Sequence, residues 1–108
     1  MSLSLFDGPF NMTEDARLLS VAEEGRAGWR VYGWDGPWIS LGCYQSASKD
    51  LLDPELVPFV MRPTGGKAVL HGHDVTVGLA LPLSLLSEVS GIEEEKLARS
   101  LRTVYRII

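Results

Sequence analysis

The chain is organised around the stretch Arg62-Pro63-Thr64-Gly65-Gly66-Lys67-Ala68-Val69-Leu70-His71. An extended run, residues 58–61, precedes it, and an alternating run, residues 75–81, follows it. Adjacent glycines between two strands allow positive φ and let a ligand approach the backbone without meeting a Cβ. Such a turn exposes amide N–H groups beside cationic side chains. The stretch therefore suits a carboxylate or a phosphate.

A simple hairpin with a glycine turn and incidental charges is the alternative. The glycines alone do not separate the two interpretations. A two-residue hairpin loop has no need of Arg62-Pro63 before it, or of His71 after the apolar residues 68–70. These flanking residues favour a ligand site.

Composition limits the classes of protein to consider. With 108 residues, 45% of them hydrophobic, the chain is one globular domain with a single core. Its net charge of −4 argues against nucleic-acid binding, which depends on clustered positive charge. No apolar run is long enough to span a membrane. The single cysteine, Cys43, and the lack of a signal segment predict a cytoplasmic protein, with Cys43 as an inert small side chain.

Two helices are predicted. The first covers residues 13–24, begins at a cap on Asn11 or Thr13, and ends at Gly25. The second covers residues 92–108 and begins with a capping box formed by Ser90 and Glu93. Its apolar stripe continues to the last residue without a stop signal, which predicts that more polypeptide or a second copy covers this helix.

Strands are predicted over residues 29–34 and 38–42, joined as a hairpin by a turn at residues 35–37. Residues 46–58 read as a loop or a single helical turn. The strand over residues 75–81 places small residues on one face, which leaves room for a ligand or for a closely packed helix. Together these elements predict an α+β fold, a mostly antiparallel sheet with flanking helices.

The central stretch resembles the arginine, threonine, glycine-glycine, alanine-valine and histidine signature of the lipoate-protein ligase and octanoyltransferase family, within the biotin/lipoate ligase superfamily. It is most similar to the bacterial octanoyltransferases of the ligase-like branch. Lys67 stands where many members have glycine or arginine. The resemblance covers nearly the whole chain and implies the amino-terminal part of the biotin/lipoate ligase fold, which is class II synthetase-like. Residues 1–108 would then be a partial catalytic domain.

The resemblance implies a set of acyl- or adenylate-binding residues. In this interpretation Arg62 and Lys67 face the anionic or carbonyl end, and His71 is a polar wall near the reacting carbon. The implied binding residues are Trp34, Arg62, Thr64, Gly65, Gly66, Lys67, Ala68, Val69 and His71. Residues implied to support the pocket from behind are Asn11, Asp15 and Gln45.

The resemblance also implies a reaction, the transfer of a lipoyl or octanoyl group to a lysine of a lipoyl carrier domain. Ligases use free lipoate with ATP and magnesium, whereas octanoyltransferases take octanoate from acyl carrier protein. No residue here matches the family's catalytic lysine or cysteine, so the chain alone is expected to be catalytically weak or inactive unless another polypeptide supplies the missing half. The alternative is a non-catalytic acyl-binding or oligomerisation module. No metal site is expected, because the chain has one Cys and two His residues.

Overall fold

The computed structural model describes residues 3–97, and the α+β class is confirmed. In chain order the elements are β1 (Leu5–Phe6), α1 (Gly8–Glu23), β2 (Gly28–Trp34), β3 (Trp38–Leu41), α2 (Ala47–Asp50), β4 (Phe59–Met61), β5 (Val69–His71), β6 (Thr76–Ala80) and α3 (Leu83–Ser90). No helix within residues 3–97 has the length and apolarity needed to cross a bilayer.

The strands form two three-stranded sheets, ordered β1-β2-β6 and β4-β3-β5. Both sheets are mixed: β1 and β4 run parallel to β2 and β3, whereas β6 and β5 run antiparallel to them. The predicted hairpin of β2 and β3 is wrong, because these strands lie in different sheets. Both edges of β2 are already occupied, one by β1 and the other by β6.

Helix α1 begins at Gly8, earlier than predicted. The Asp7 carboxylate caps it by accepting the Phe10 N–H at 2.8 Å, and Pro9 lies in the first turn, where its missing N–H costs no helical bond. The cap on Asn11 or Thr13 is therefore wrong. The end is as predicted, with Gly25 at a φ of 90° just beyond the helix.

The small-residue face of β6 lies beneath α1. A Cβ on Gly78 would come within 3.2 Å of Asp15 Oδ1 and 3.3 Å of Leu18 Cδ1, so the helix packs directly on the strand. The opposite face of β2 and β6 carries large apolar side chains that remain exposed, such as Trp29 at 70% and Val77 at 64%. Strand β6 thus turns its small residues toward α1, whereas the large apolar side chains on the opposite face of the two strands stay exposed.

The segment after β6 forms a helix that was not predicted, α3, which ends at Gly91 with a φ of 74°. Ser90 is the last residue of α3, and its hydroxyl accepts the Ile92 N–H rather than that of Glu93. The predicted capping box is therefore wrong. A helical turn follows Glu93, whose carbonyl accepts the Leu97 N–H. The remainder of the predicted helix lies outside the described residues.

We expect the core of the second sheet to depend on Leu41. Leu41→Ala should lower the free energy of unfolding by roughly 2–5 kcal/mol, because the residue is 0% exposed and truncation leaves a cavity. Leu70→Ala, in the neighbouring strand of the same sheet, is the matched control. Leu70 is 69% exposed, so its loss should stay within about 0.5 kcal/mol. Urea unfolding monitored by tryptophan fluorescence measures both, and equal losses would contradict this assignment of the core.

Candidate functional site

A cavity of about 700 Å³ lies between α1, the facing strands of both sheets and the glycine loop of residues 62–68. Its lining consists of Met12, Asp15, Leu18, Leu19, Tyr32, Trp34, Ser40, Arg62, Pro63, Thr64, Gly65, Gly66, Lys67, Ala68, Val69, His71, Thr76, Val77, Gly78, Leu79 and Ala80. Apolar side chains dominate the wall formed by α1 and β6, and polar groups gather where the loop meets β3 and β5. The cavity therefore has an apolar region and a polar end.

Every residue predicted to contact an acyl group lines this one cavity, from Trp34 in β2 to His71 in β5. Among the residues predicted to support it, Asp15 also reaches the cavity. Asn11 and Gln45 are not among its lining residues: Asn11 donates to the Gly33 carbonyl at 3.1 Å, and Gln45 accepts the Gly42 N–H at 3.0 Å. Contact with an acyl group stays a prediction for all of them.

The glycine loop crosses the end of β3. Strands β4 and β5 pair with opposite edges of β3, so the loop that joins them must pass from one edge to the other. It passes over Gly42, where an added Cβ would overlap the carbonyl oxygen of Gly66. Gly66 itself has a φ of 104°. This crossing excludes the simple hairpin and explains why glycines are needed on both sides of the contact.

Arg62 holds the loop in this position. Its Nη1 donates to the carbonyl and the hydroxyl of Ser40 at 2.8 and 2.7 Å, and its Nη2 donates to the carbonyls of Gly65 and Lys67 at 3.1 and 2.8 Å. Burial lowers the pKa of Arg62, but a guanidinium stays protonated. Both terminal nitrogens are thus engaged within the protein, and Arg62 shapes the loop from behind.

His71 connects Arg62 to the other sheet through a chain of hydrogen bonds. Its Nε2 lies 2.8 Å from Ser40 Oγ, and its Nδ1 lies 2.7 Å from Asp74 Oδ2. Asp74 Oδ2 also accepts the Thr76 hydroxyl at 3.2 Å, and Thr76 Oγ1 accepts Trp34 Nε1–H at 2.9 Å. The Trp34 and His71 rings stack with centroids 4.0 Å apart. These contacts join the two sheets at the polar end of the cavity.

Asp74 lies in the turn before β6, and its carboxylate contacts His71. Partial burial would raise the pKa of Asp74, and the hydrogen bonds from His71 and the Gly72 N–H outweigh it, so the pKa is lowered. Sequence reasoning also missed Ser40. A hydroxyl within the apolar strand Trp38–Leu41 was the available signal, because a buried polar group needs a partner.

Ser40, His71 and Asp74 are hydrogen-bonded in the same succession as the side chains of a serine-hydrolase triad. Ser40, however, is 0% exposed, and its oxygen already accepts a hydrogen bond from Arg62. A nucleophile must reach the substrate with a free lone pair. Ser40 is therefore not a nucleophile in this arrangement, and the trio serves to hold His71.

A second polar cluster fixes α1 to β2. Asp15 accepts hydrogen bonds from Arg30 Nη1 at 2.9 Å and from the Tyr32 hydroxyl at 2.8 Å, and Arg30 also donates to Asn11 Oδ1 at 2.8 Å. Burial, followed by the hydrogen bond to Asp15 and the charge of Asp15, raises the pKa of Tyr32. Tyr32 therefore stays protonated and presents its ring to the cavity, with the guanidinium of Arg30 3.6 Å from the ring centroid.

Within residues 3–97 no group of three or more His, Cys, Asp or Glu residues is arranged to hold a metal ion. Cys43 is exposed and is not among the residues lining the cavity.

Comparison with curated proteins finds relatives named octanoyltransferase LipM. The protein from Kyrpidia tusciae is 35% identical over 105 residues, which is 86% of this chain and 38% of that relative. The protein from Halalkalibacterium halodurans is 32% identical over 108 residues, 94% of this chain and 36% of that relative. The protein from Lysinibacillus sphaericus is 44% identical over 73 residues. The chain spans little more than a third of the first two. No family model and no solved structure matches.

The loop crossing generates a prediction about Gly42. Gly42→Ala should destabilise the fold by about 1–3 kcal/mol, because the new methyl group meets backbone of the glycine loop that cannot move aside freely. Gly36→Ala is the control, since a Cβ there has no neighbour within 4 Å, and we expect a change of at most about 1 kcal/mol. Denaturant unfolding measures both. A Gly42→Ala chain as stable as the unaltered chain would show that the loop does not lie across β3.

Proposed function

The chain belongs to the lipoate/octanoyl transferase family, and we propose that it forms the acyl-binding part of an enzyme that transfers an octanoyl group to a lysine of a lipoyl domain. The cavity lined by the glycine loop carries this proposal, because it gathers the residues of the family signature around one space. Its volume of about 700 Å³ falls within the range of roughly 300–1,000 Å³ found for small-molecule sites.

The proposed acyl chain lies along the apolar wall of the cavity. Leu18 from α1 faces the small residues of β6 there, and Ala68 and Val69 contribute from the other sheet. An alkyl chain needs no charged contact, because the transfer of its apolar surface from water to the apolar wall is favourable by itself. The indole of Trp34 closes the wall at the polar end.

The proposed carbonyl end lies at the glycine loop. Backbone N–H groups beside Gly65 and Gly66 are suited to stabilise negative charge on a carbonyl oxygen during acyl transfer. Lys67 is exposed next to them and is the cation that we assign to the carbonyl or anionic end. Arg62 acts through the loop that it holds, because its terminal nitrogens are bonded to protein oxygens.

The relatives favour octanoyl transfer over the ATP- and magnesium-dependent ligase route, since those reported above are named octanoyltransferases. We therefore propose an octanoyl carrier protein as donor, a lipoyl domain as acceptor and the cytoplasm as the place of reaction. The lysine and cysteine chemistry of the family would come from polypeptide beyond the 108 residues.

A second candidate is a non-catalytic acyl-binding module that associates with another polypeptide. The exposed apolar face of β2 and β6, which includes Trp29 and Val77, favours it. Large exposed apolar patches mark surfaces that become covered. The two candidates share the cavity and differ in whether acyl transfer follows binding.

Octanoate binding tests the cavity. Val69→Trp should weaken octanoate binding at least about tenfold, because the indole fills space beside the glycine loop. Val75→Trp is the matched control, since Val75 is 61% exposed and is not among the lining residues. Isothermal titration of octanoate into each folded variant measures the effect. Unchanged affinity in Val69→Trp, or no binding by the unaltered chain, would count against the proposed site.

Acyl transfer separates the two candidates. The 108 residues, incubated with octanoyl carrier protein and a lipoyl domain, should bind octanoate and yet leave the lipoyl domain unmodified by intact-mass spectrometry. Transfer should appear when the chain is joined to the part of the Kyrpidia tusciae relative that it does not match. Rapid transfer by the 108 residues alone would refute the dependence on further polypeptide, and its absence from the joined protein would favour the binding module.

A further inference from the structure

We infer that Ser40 and Asp74 are positioning residues that hold His71 in one tautomer, with the proton on Nδ1 and the lone pair on Nε2. Held in this way, His71 is a fixed wall of the cavity, and both of its ring nitrogens are bonded within the protein. The role in acyl binding rests on the proposed function, whereas the tautomer follows from contacts within the chain.

Arg62, Ser40, His71 and Asp74 form a chain of hydrogen bonds, and Arg62 sets the donor and acceptor roles at one end of that chain. A guanidinium only donates, so Ser40 Oγ accepts from Nη1 at 2.7 Å. The hydroxyl proton of Ser40 then needs an acceptor, and His71 Nε2 lies 2.8 Å away. Ser40 is fully buried, and a proton on Nε2 would occupy the second lone pair of the hydroxyl oxygen and leave the hydroxyl proton without an acceptor among the described residues. The Ser40 side of the ring therefore requires a lone pair on Nε2.

Asp74 sets the donor and acceptor roles at the other end of this chain, because a carboxylate only accepts hydrogen bonds. Its Oδ1 accepts the Gly72 N–H at 2.9 Å, and its Oδ2 accepts from Thr76 and faces His71 Nδ1 at 2.7 Å. A lone pair on Nδ1 would point at this carboxylate oxygen and repel it. Both ends therefore require the same tautomer, and neither depends on the other for that result.

The ring is also held through its face. Trp34 stacks on His71 with an interplanar angle of 14°, and its own Nε1–H donates to Thr76, which donates to Asp74. Trp34, Thr76, Asp74 and His71 thus form a closed ring of contacts. With both nitrogens of His71 bonded inside the protein, no N–H of this side chain remains for an acyl carbonyl. Polarisation of that carbonyl is left to the glycine loop.

Sheet register explains why these residues meet. Ser40 pairs with Val60 on one side and Val69 on the other. Alternate residues of a strand share a face, so Arg62 and His71, each two residues further along, lie diagonally from Ser40 on that face. The backbone pairing thereby places a donor on one side of the hydroxyl and an acceptor on the other.

Nitrogen-15 NMR of the imidazole rings in the full 108-residue chain tests the inference. His71 should show Nε2 as the unprotonated nitrogen and Nδ1 as the protonated one, with separate signals. His73, which is exposed, should show averaged signals and serves as an internal reference. A His71 that is averaged, or that carries its proton on Nε2, would overturn the inference without any substitution being needed.

The substitution Asp74→Asn keeps the shape of the side chain at position 74 and changes how that side chain positions His71. An amide oxygen facing the Gly72 N–H turns the amide NH₂ toward His71, which favours the proton on Nε2. We expect the His71 signals to shift toward that tautomer and octanoate affinity to fall about tenfold. Asp53→Asn is the matched control: the Asp53 carboxylate also accepts a backbone N–H from a residue two positions away, Glu55 at 3.0 Å, and we expect this substitution to change neither readout.

The outcomes separate the inference from the proposed function. Wild-type His71 signals in Asp74→Asn would overturn the positioning role, and so would equal effects of the two Asn substitutions, which would indicate a general effect of lost charge. If the unaltered chain binds no octanoate, the proposed function fails, and the nitrogen-15 spectrum still decides the tautomer.

Discussion

The partly buried guanidinium of Arg62 is the interaction on which the site depends. A cation that is partly removed from water needs oxygens around it, and here the oxygens belong to Ser40 and to the glycine loop. The same side chain therefore fastens the loop to β3 and starts the chain of hydrogen bonds that reaches His71. Removing it would take away its hydrogen bonds to the Ser40 hydroxyl and to the carbonyls of Gly65 and Lys67, and the glycine loop would lose these attachments to β3.

The two sheets meet at the cavity through polar contacts more than through a large apolar core. Fully buried apolar side chains such as Leu41 are few among residues 3–97, and the residues that join helix to sheet include Asp15, Arg30 and Tyr32. Polar clusters of this kind are directional, so they define geometry where a loosely packed core would not. The cavity keeps its shape because its walls are hydrogen-bonded from behind.

The outer face of β2 and β6 carries exposed apolar residues, as expected for a chain that spans only part of the length of its relatives. The chain spans 38% and 36% of two relatives, and a sheet face carrying Trp29 and Val77 is unusual as a permanent surface. The cavity borders the same strand β6, and Val77 and Leu79 are also among its lining residues.

Local patterns in the chain were sufficient for the α+β class and the end of α1 at Gly25, because turn chemistry and periodicity act over a few neighbouring residues. The residues around the cavity were named from a family resemblance and not from such patterns. Local patterns were insufficient for the start of α1, for α3 and for the partners of β2. They also left open whether the small-residue face of β6 meets a ligand or a helix, and in the folded chain α1 packs on Gly78 of that face. The contacts of Ser40 and Asp74 with His71 likewise needed the folded chain, since strand register brings together residues that are 31 apart in the case of Ser40 and His71.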